Sequence, residues 1–145
     1  MKNKYGKYIV RFLVQTGAAA LLLLGAEILY GGMYLIGVPK AEETEKVTIL
    51  YRDAADEEKE ITDRKQIELA VKLTGFLRYS LLEEADGTED PVITIVYHMK
   101  NGRTIAVSAN RDTVWWKGKA HVIREQDMFI NLAEGIFFSE DLEGK

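Results

Sequence analysis

The chain contains no cysteine, two histidines, two prolines and only three serines (Ser80, Ser108 and Ser139). Without cysteine there is no disulfide framework, no thiolate metal site, no thiol nucleophile and no site for amino-terminal lipidation. None of the serines sits in a nucleophile-elbow setting. Walker and dinucleotide glycine spacings are both missing. The histidines, His98 and His121, fall in separate β-like segments with no carboxylate at ligand spacing. They are expected at a core edge or facing solvent, with a metal-binding pair across neighbouring hairpins as the alternative. The acidic cluster Glu83, Glu84, Asp86, Glu89 and Asp90 lacks the alternation of an EF-hand loop. It is expected to be a solvated loop rather than a calcium site. The sequence therefore assigns no catalytic residue, metal ligand or cofactor, and a non-catalytic protein is expected.

What the chain does have is a long apolar run. Phe12 to Ala26 carries no charge, and after Glu27 the run resumes from Ile28 to Val38. It is too long and too apolar for a core helix of so small a domain, and it predicts a membrane-spanning segment. Lys2, Lys4, Lys7 and Arg11 precede it with no anion among them, whereas Glu42 and Glu43 follow. Positive flanks stay cytoplasmic, so residues 1–11 are expected as a cytoplasmic tail and 12–38 as an uncleaved, single-pass signal anchor. The competing reading is a cleaved secretory signal, giving a secreted domain. Cleavage after Leu24-Gly25-Ala26 would leave the apolar end Glu27-Ile28-Leu29-Tyr30.

Within the run, Ala18, Gly25 and Gly32 recur every seven residues. They form a small-residue stripe on which another helix can pack closely. Glu27 falls inside the outer leaflet if the span starts at Phe12, and intramembrane carboxylates often mark a contact. Ala18, Gly25, Glu27 and Gly32 are thus a candidate intramembrane contact. The plain alternative is that Glu27 snorkels or is protonated and the small residues are filler. Tyr30 and Tyr34 lie where an aromatic belt belongs.

Residues 1–41 carry five cations and one anion, and the remainder 14 cations and 22 anions. About a hundred residues suffice for one core. Beyond a linker at 39–46, one domain is expected over 47–138, with an acidic tail at 139–145. Val47 to Tyr51 alternates as a strand with Val47, Ile49 and Tyr51 on one face, the acidic stretch Asp53 to Glu58 reads as a loop, and Lys59-Glu60-Ile61 returns as a short strand. Asp63 and Gln66 have capping-box spacing before a helix that buries Ile67, Ala70, Val71, Thr74, Leu77 and Leu81. Glu83 to Pro91 is a loop. Val92 to Met99 and Arg103 to Ala109 flank Asn101-Gly102, the strongest short hairpin signal. That turn predicts Val96 opposite Val107 and Tyr97 opposite Ala106. A second hairpin turns at Lys117-Gly118 between Thr113–Trp116 and Lys119–Ile123. The helix Asp127 to Phe138 closes the domain, with Met128, Leu132 and Ile136 on one side and Phe129, Ala133 and Phe137 beside them. The fold class is α+β: one transmembrane helix, then a small antiparallel meander of five to six strands with two helices on one face.

This order, with Glu60-Ile61-Thr62-Asp63 before a helix, Ile93 to Arg103 as a hairpin and Trp115-Trp116-Lys117-Gly118-Lys119 before the last helix, resembles a known group. It is similar to the small extracytoplasmic domains of uncharacterised membrane-anchored proteins and lipoproteins of Gram-positive bacteria. The chain departs from the lipoproteins in lacking the lipidated cysteine. The resemblance implies an envelope-facing, non-catalytic domain and carries over no functional residues.

One charged constellation remains. Residues 98–124 hold Lys100, Arg103, Arg111, Lys117, Lys119 and Arg124 against Asp112 alone. On an otherwise acidic domain they form a local field able to attract anions. The candidate interaction surface is Lys100, Arg103, Arg111, Trp115, Trp116, Lys117 and Lys119, for a protein partner or an anionic envelope component. Nucleic acid is not expected, given the compartment and the net negative domain. Regular pleating sends Trp115 and Trp116 to opposite faces. The alternative is that the cations blunt turns and edges while one Trp fills the core.

Overall fold

A computed structural model describes residues 2–52 and 57–138. Most of the expected acidic loop (53–56) and the expected tail (139–145) lie outside the described residues.

The long helix α1 runs from Lys2 to Gly31. Its stretch Tyr5–Gly31 is 27 residues long, apolar enough to cross a membrane, and has none of its apolar window buried. At 1.5 Å per residue it reaches roughly 40 Å, against a hydrocarbon core of roughly 30 Å. The helix ends well before Val38, the end expected from hydropathy. Gly32 takes φ +90° and its N–H donates to the Ile28 carbonyl at 3.0 Å, the left-handed glycine that closes a helix. From there the periodicity changes from helical to alternating. Met33 is half-buried, Tyr34 exposed, Leu35 buried and Ile36 exposed. Met33–Tyr34 forms β1, and Leu35 enters the domain core. Residues 39–46, expected as a linker, hold a 3-10 turn (Ala41–Glu43) and the start of β2 (Thr44–Tyr51).

The fold is α+β, with a single antiparallel sheet of eight strands rather than five or six. After β2 come β3 (Glu57–Ile61), β4 (Arg78–Glu84), β5 (Ile93–Met99), β6 (Thr104–Ala109), β7 (Thr113–Trp116) and β8 (Lys119–Ile123). Their order across the sheet is β1-β4-β8-β7-β6-β5-β2-β3. The two added strands are β1, concealed in the apolar run, and β4.

Strand β4 replaces the expected end of the second helix, which is α2 (Arg64–Gly75). Asp63 caps α2 by accepting the Gln66 N–H at 3.2 Å. The helix then stops at Gly75, where the N–H groups of Phe76 and Leu77 turn back to the carbonyls of Leu73 and Thr74 at 3.3 and 3.2 Å. Leu77 remains in the core, but Leu81 lies on β4 and is exposed. Strand β4 is irregular because the buried Ser80 hydroxyl accepts the N–H groups of Leu82 and Glu83, both at 3.2 Å. Its pairing with β8 slips between Tyr79 and Glu84. Glu83 and Glu84, expected in a loop, therefore end a strand.

The β5–β6 hairpin forms with a register one residue away from the expected one. Val96 faces Ala106, Tyr97 faces Ile105, and Val107 lies opposite Ile95. The connection is a three-residue loop instead of a two-residue turn. Met99 N–H donates to Arg103 O at 2.8 Å and Gly102 N–H to Met99 O at 3.0 Å, with Gly102 at φ +88°. The second hairpin turns at Lys117 (φ 49°) and Gly118 (φ 79°), the positive pair a type I′ turn needs.

Helix α2 and α3 (Met128–Phe137) cover the face carrying Val47, Ile49, Tyr51, Ile93, Ile95 and Tyr97. The Tyr97 hydroxyl donates to Ala70 O at 2.7 Å and meets the Thr74 hydroxyl at 2.5 Å, which fixes α2 on β5. Burial pushes the Tyr97 phenol well above its ordinary pKa, so it stays a donor. The Tyr51 ring stacks on Phe138 at 4.8 Å and its hydroxyl donates to Glu134, which places α3 beside it. Helix α2 buries Ile67, Ala70, Leu73 and Thr74, with Val71 half-buried. Helix α3 buries Phe129, Ile130, Ala133 and Phe137; Leu132 is exposed.

Candidate functional site

The antiparallel path decides which of the charged residues meet. Strand β5 and β7 run toward one end of the sheet, so the turns carrying Lys100 and Arg103 and those carrying Lys117 and Lys119 leave at that end. All four cations are exposed, and none makes an ion pair among the described residues. Arg111 lies in the β6–β7 connection at the opposite end, where it pairs with Asp127 at 3.3 Å. It does not join the other four.

The two tryptophans separate as pleating requires. Trp116 is 6 % exposed on the helix-covered face, where its indole N–H donates to the Ile36 carbonyl at 3.1 Å. Lys117 Nζ lies 5.8 Å from the Trp116 ring centroid. Trp116 thus belongs to the core and clamps the segment that leaves α1. Trp115 is half-buried on the opposite face. There the 84–89 loop folds back over the sheet, with Gly87 (φ +69°) close against Ala120, and Trp115 joins a cleft of about 340 Å³ with Glu84, Asp86, Glu89 and Asp112. Of the other two acidic residues of that cluster, Glu83 lies on β4 and Asp90 pairs with Arg52 at 3.4 Å.

The two histidines are not brought together. His98 faces away from the helices and shares a 2.9 Å hydrogen bond with the Thr48 hydroxyl. His121 is on β8, with β6 and β7 between it and β5, and its ring lies tilted against that of Tyr79, centroids 4.3 Å apart. Burial, then the Lys119 charge, lowers its pKa below the ordinary histidine value. Among the described residues, no three of His, Asp and Glu converge as metal ligands.

Ala18, Gly25 and Glu27 lie on α1, Ala18 and Glu27 exposed and Gly25 half-covered. Gly32 lies beyond the helix, where a Cβ would stand 2.5 Å from Arg124 Cγ and 3.0 Å from Tyr79 O. The seven-residue stripe on α1 is therefore reduced to Ala18 and Gly25. Glu27 lines an open groove of about 410 Å³ with Ile28, Tyr34, Ile36 and Arg78.

Arg78 was not singled out by the sequence, because its neighbours are 40 or more residues away along the chain. It pairs with Glu125, and its guanidinium lies 5.8 Å from the Tyr34 ring centroid. Only the pairing of β1 with β4, Tyr34 opposite Arg78, brings it to the end of α1. No protein-family model matches the chain, and comparison with curated proteins and with solved structures finds no match.

Proposed function

We propose that the chain is a membrane-anchored interaction module whose α+β domain works outside the membrane as a non-catalytic binder. Its α1 crosses the bilayer with residues 1–11 on the cytoplasmic side, as the four leading cations favour. The observation that carries this reading is an apolar helix of 27 residues, with none of its apolar window buried, that passes into a folded sheet through one glycine. Uncovered apolar surface of that extent has no favourable place in water. The ligand-facing end is that of Lys100, Arg103, Lys117 and Lys119, a group of cations without an ion pair among the described residues and suited to an anionic envelope component or an acidic protein face.

A second reading is favoured by the helix itself. With α1 uncovered and Ala18 and Gly25 two turns apart on it, a larger membrane protein would be recruited inside the bilayer. Crosslinking and affinity capture from intact membranes separates the two. For the first reading, Lys100→Glu with Arg103→Glu, or Lys117→Glu with Lys119→Glu, loses the captured partner while an unrelated span in place of α1 keeps it. The reverse pattern sinks the first reading and supports the second. Amino-terminal sequencing of the captured protein tests retention of the anchor: a terminus after Ala26 would establish the secreted form.

A further inference from the structure

The segment that leaves α1 carries a second surface, which meets the hairpin tips only at Lys117. Counting about 20 residues for the hydrocarbon core from Phe12, the first residue after the leading cations, the span ends at Gly31. Tyr34 follows by three residues and so lies within roughly 10 Å of that boundary. The headgroup layer on each side is roughly 5–8 Å thick, so the start of the domain has no spare length with which to stand off from it.

The side chains displayed there match that layer. Tyr30, Tyr34 and Ile36 are 71 %, 54 % and 61 % exposed. Three cations are set along the same short path: Arg124 against Gly32, Arg78 over Tyr34, and Lys117 Nζ 3.0 Å from where a Cβ on Gly37 would stand. Arg78 keeps Glu125 as its partner, whereas Arg124 and Lys117 make no ion pair among the described residues. Aromatic rings with polar tips and long basic side chains are the residue types that settle at the bilayer surface, and the cations favour phosphate-bearing, anionic headgroups. The path is also fixed to the sheet, by Leu35 in the core and by the hydrogen bond from Trp116 to Ile36 O.

We infer that the domain docks on the outer surface of the bilayer its own helix spans, with Tyr30 at the edge of the hydrocarbon, Tyr34 and Ile36 in the headgroup layer, and Arg124 and Lys117 against lipid phosphates. This rests on the anchor reading above and adds a defined orientation: the β1–β4 edge faces lipid, and β3 points away. Seven inter-strand steps separate β1 from β3, on the order of 30 Å.

The test uses the full chain in vesicles of phosphatidylcholine and phosphatidylglycerol. The absence of native cysteine allows single nitroxide labels at Leu22→Cys, Ile36→Cys and Glu58→Cys. Docking predicts Leu22 in hydrocarbon, Glu58 freely accessible to a water-soluble nickel relaxant, and Ile36 several-fold less accessible than Glu58. Arg124→Gln with Lys117→Gln removes at least half of that protection. If Ile36 is as accessible as Glu58 while Leu22 stays in hydrocarbon, docking is overturned and the anchor stands. If the double variant leaves Ile36 equally protected, the assignment to lipid phosphates is overturned. Water access at Leu22 overturns the anchor and the docking together.

Discussion

Replacing Trp116 by alanine removes the largest side chain of the second hairpin from the core and releases the clamp on the segment leaving α1. The indole is 6 % exposed, and truncating a buried tryptophan costs about 3–5 kcal/mol. The hydrogen bond to Ile36 O adds little beyond that range, because Ile36 is 61 % exposed and water can replace the donor. Domains of this size have stabilities of about 5–15 kcal/mol. A loss of about 4 kcal/mol lowers Tm by roughly 15–30 °C. Trp115→Ala acts on the opposite, half-buried face and costs about 1 kcal/mol. The assay is urea unfolding of the full chain in detergent, followed by circular dichroism of the sheet. A Trp116→Ala protein as stable as wild type, or a Trp115→Ala protein that loses more, would refute the assignment of faces.

Other substitutions test separate parts of the fold. Gly32→Ala meets Arg124 Cγ at 2.5 Å at φ +90°, whereas Gly102→Ala is free of contacts at φ +88°. Gly102→Ala should therefore cost about 1 kcal/mol and Gly32→Ala distinctly more, both read from the urea midpoint. Asp63→Ala removes the cap of α2 and costs about 1 kcal/mol by the same measurement. His121 has a folded-state pKa below its unfolded value, so between those two values the unfolded chain binds more protons. Stability contributed there is present above the unfolded value of about 6.5 and is lost as pH falls toward the folded one. His121→Gln should flatten that part of the stability–pH curve, and an unchanged slope would count against it.

The parts of the fold legible in the sequence were those in which local chemistry acts alone. Asp63 ahead of Gln66 marked the cap, and Lys117-Gly118 marked a turn that the backbone adopts with two positive φ angles. What stayed hidden depended on competition or on distance. Thr74, Leu77 and Leu81 share helical spacing, yet Gly75 stops the helix and the Ser80 hydroxyl diverts the next strand. Hydropathy cannot mark the end of α1, because Met33 to Val38 is as apolar as the helix; only the change of period after Gly32 does. Asn101-Gly102 signalled a hairpin correctly but not its loop length, and one residue of loop shifts every pair. The basic residues of 98–124 share one stretch of sequence, but antiparallel return sends Arg111 to the far end and puts Arg124, with Arg78 from β4, beside the end of α1.

The account rests on α1 as a retained span with the domain outside. Single cysteines at Asn3 and Asn101, treated in intact cells with a membrane-impermeant maleimide, test this most directly. The account predicts that Asn101→Cys is labelled in intact cells, that Asn3→Cys is labelled only after permeabilisation, and that both proteins stay in the membrane pellet after an alkaline wash. Protection of Asn101→Cys in intact cells, or recovery of the chain in the soluble fraction, would contradict it.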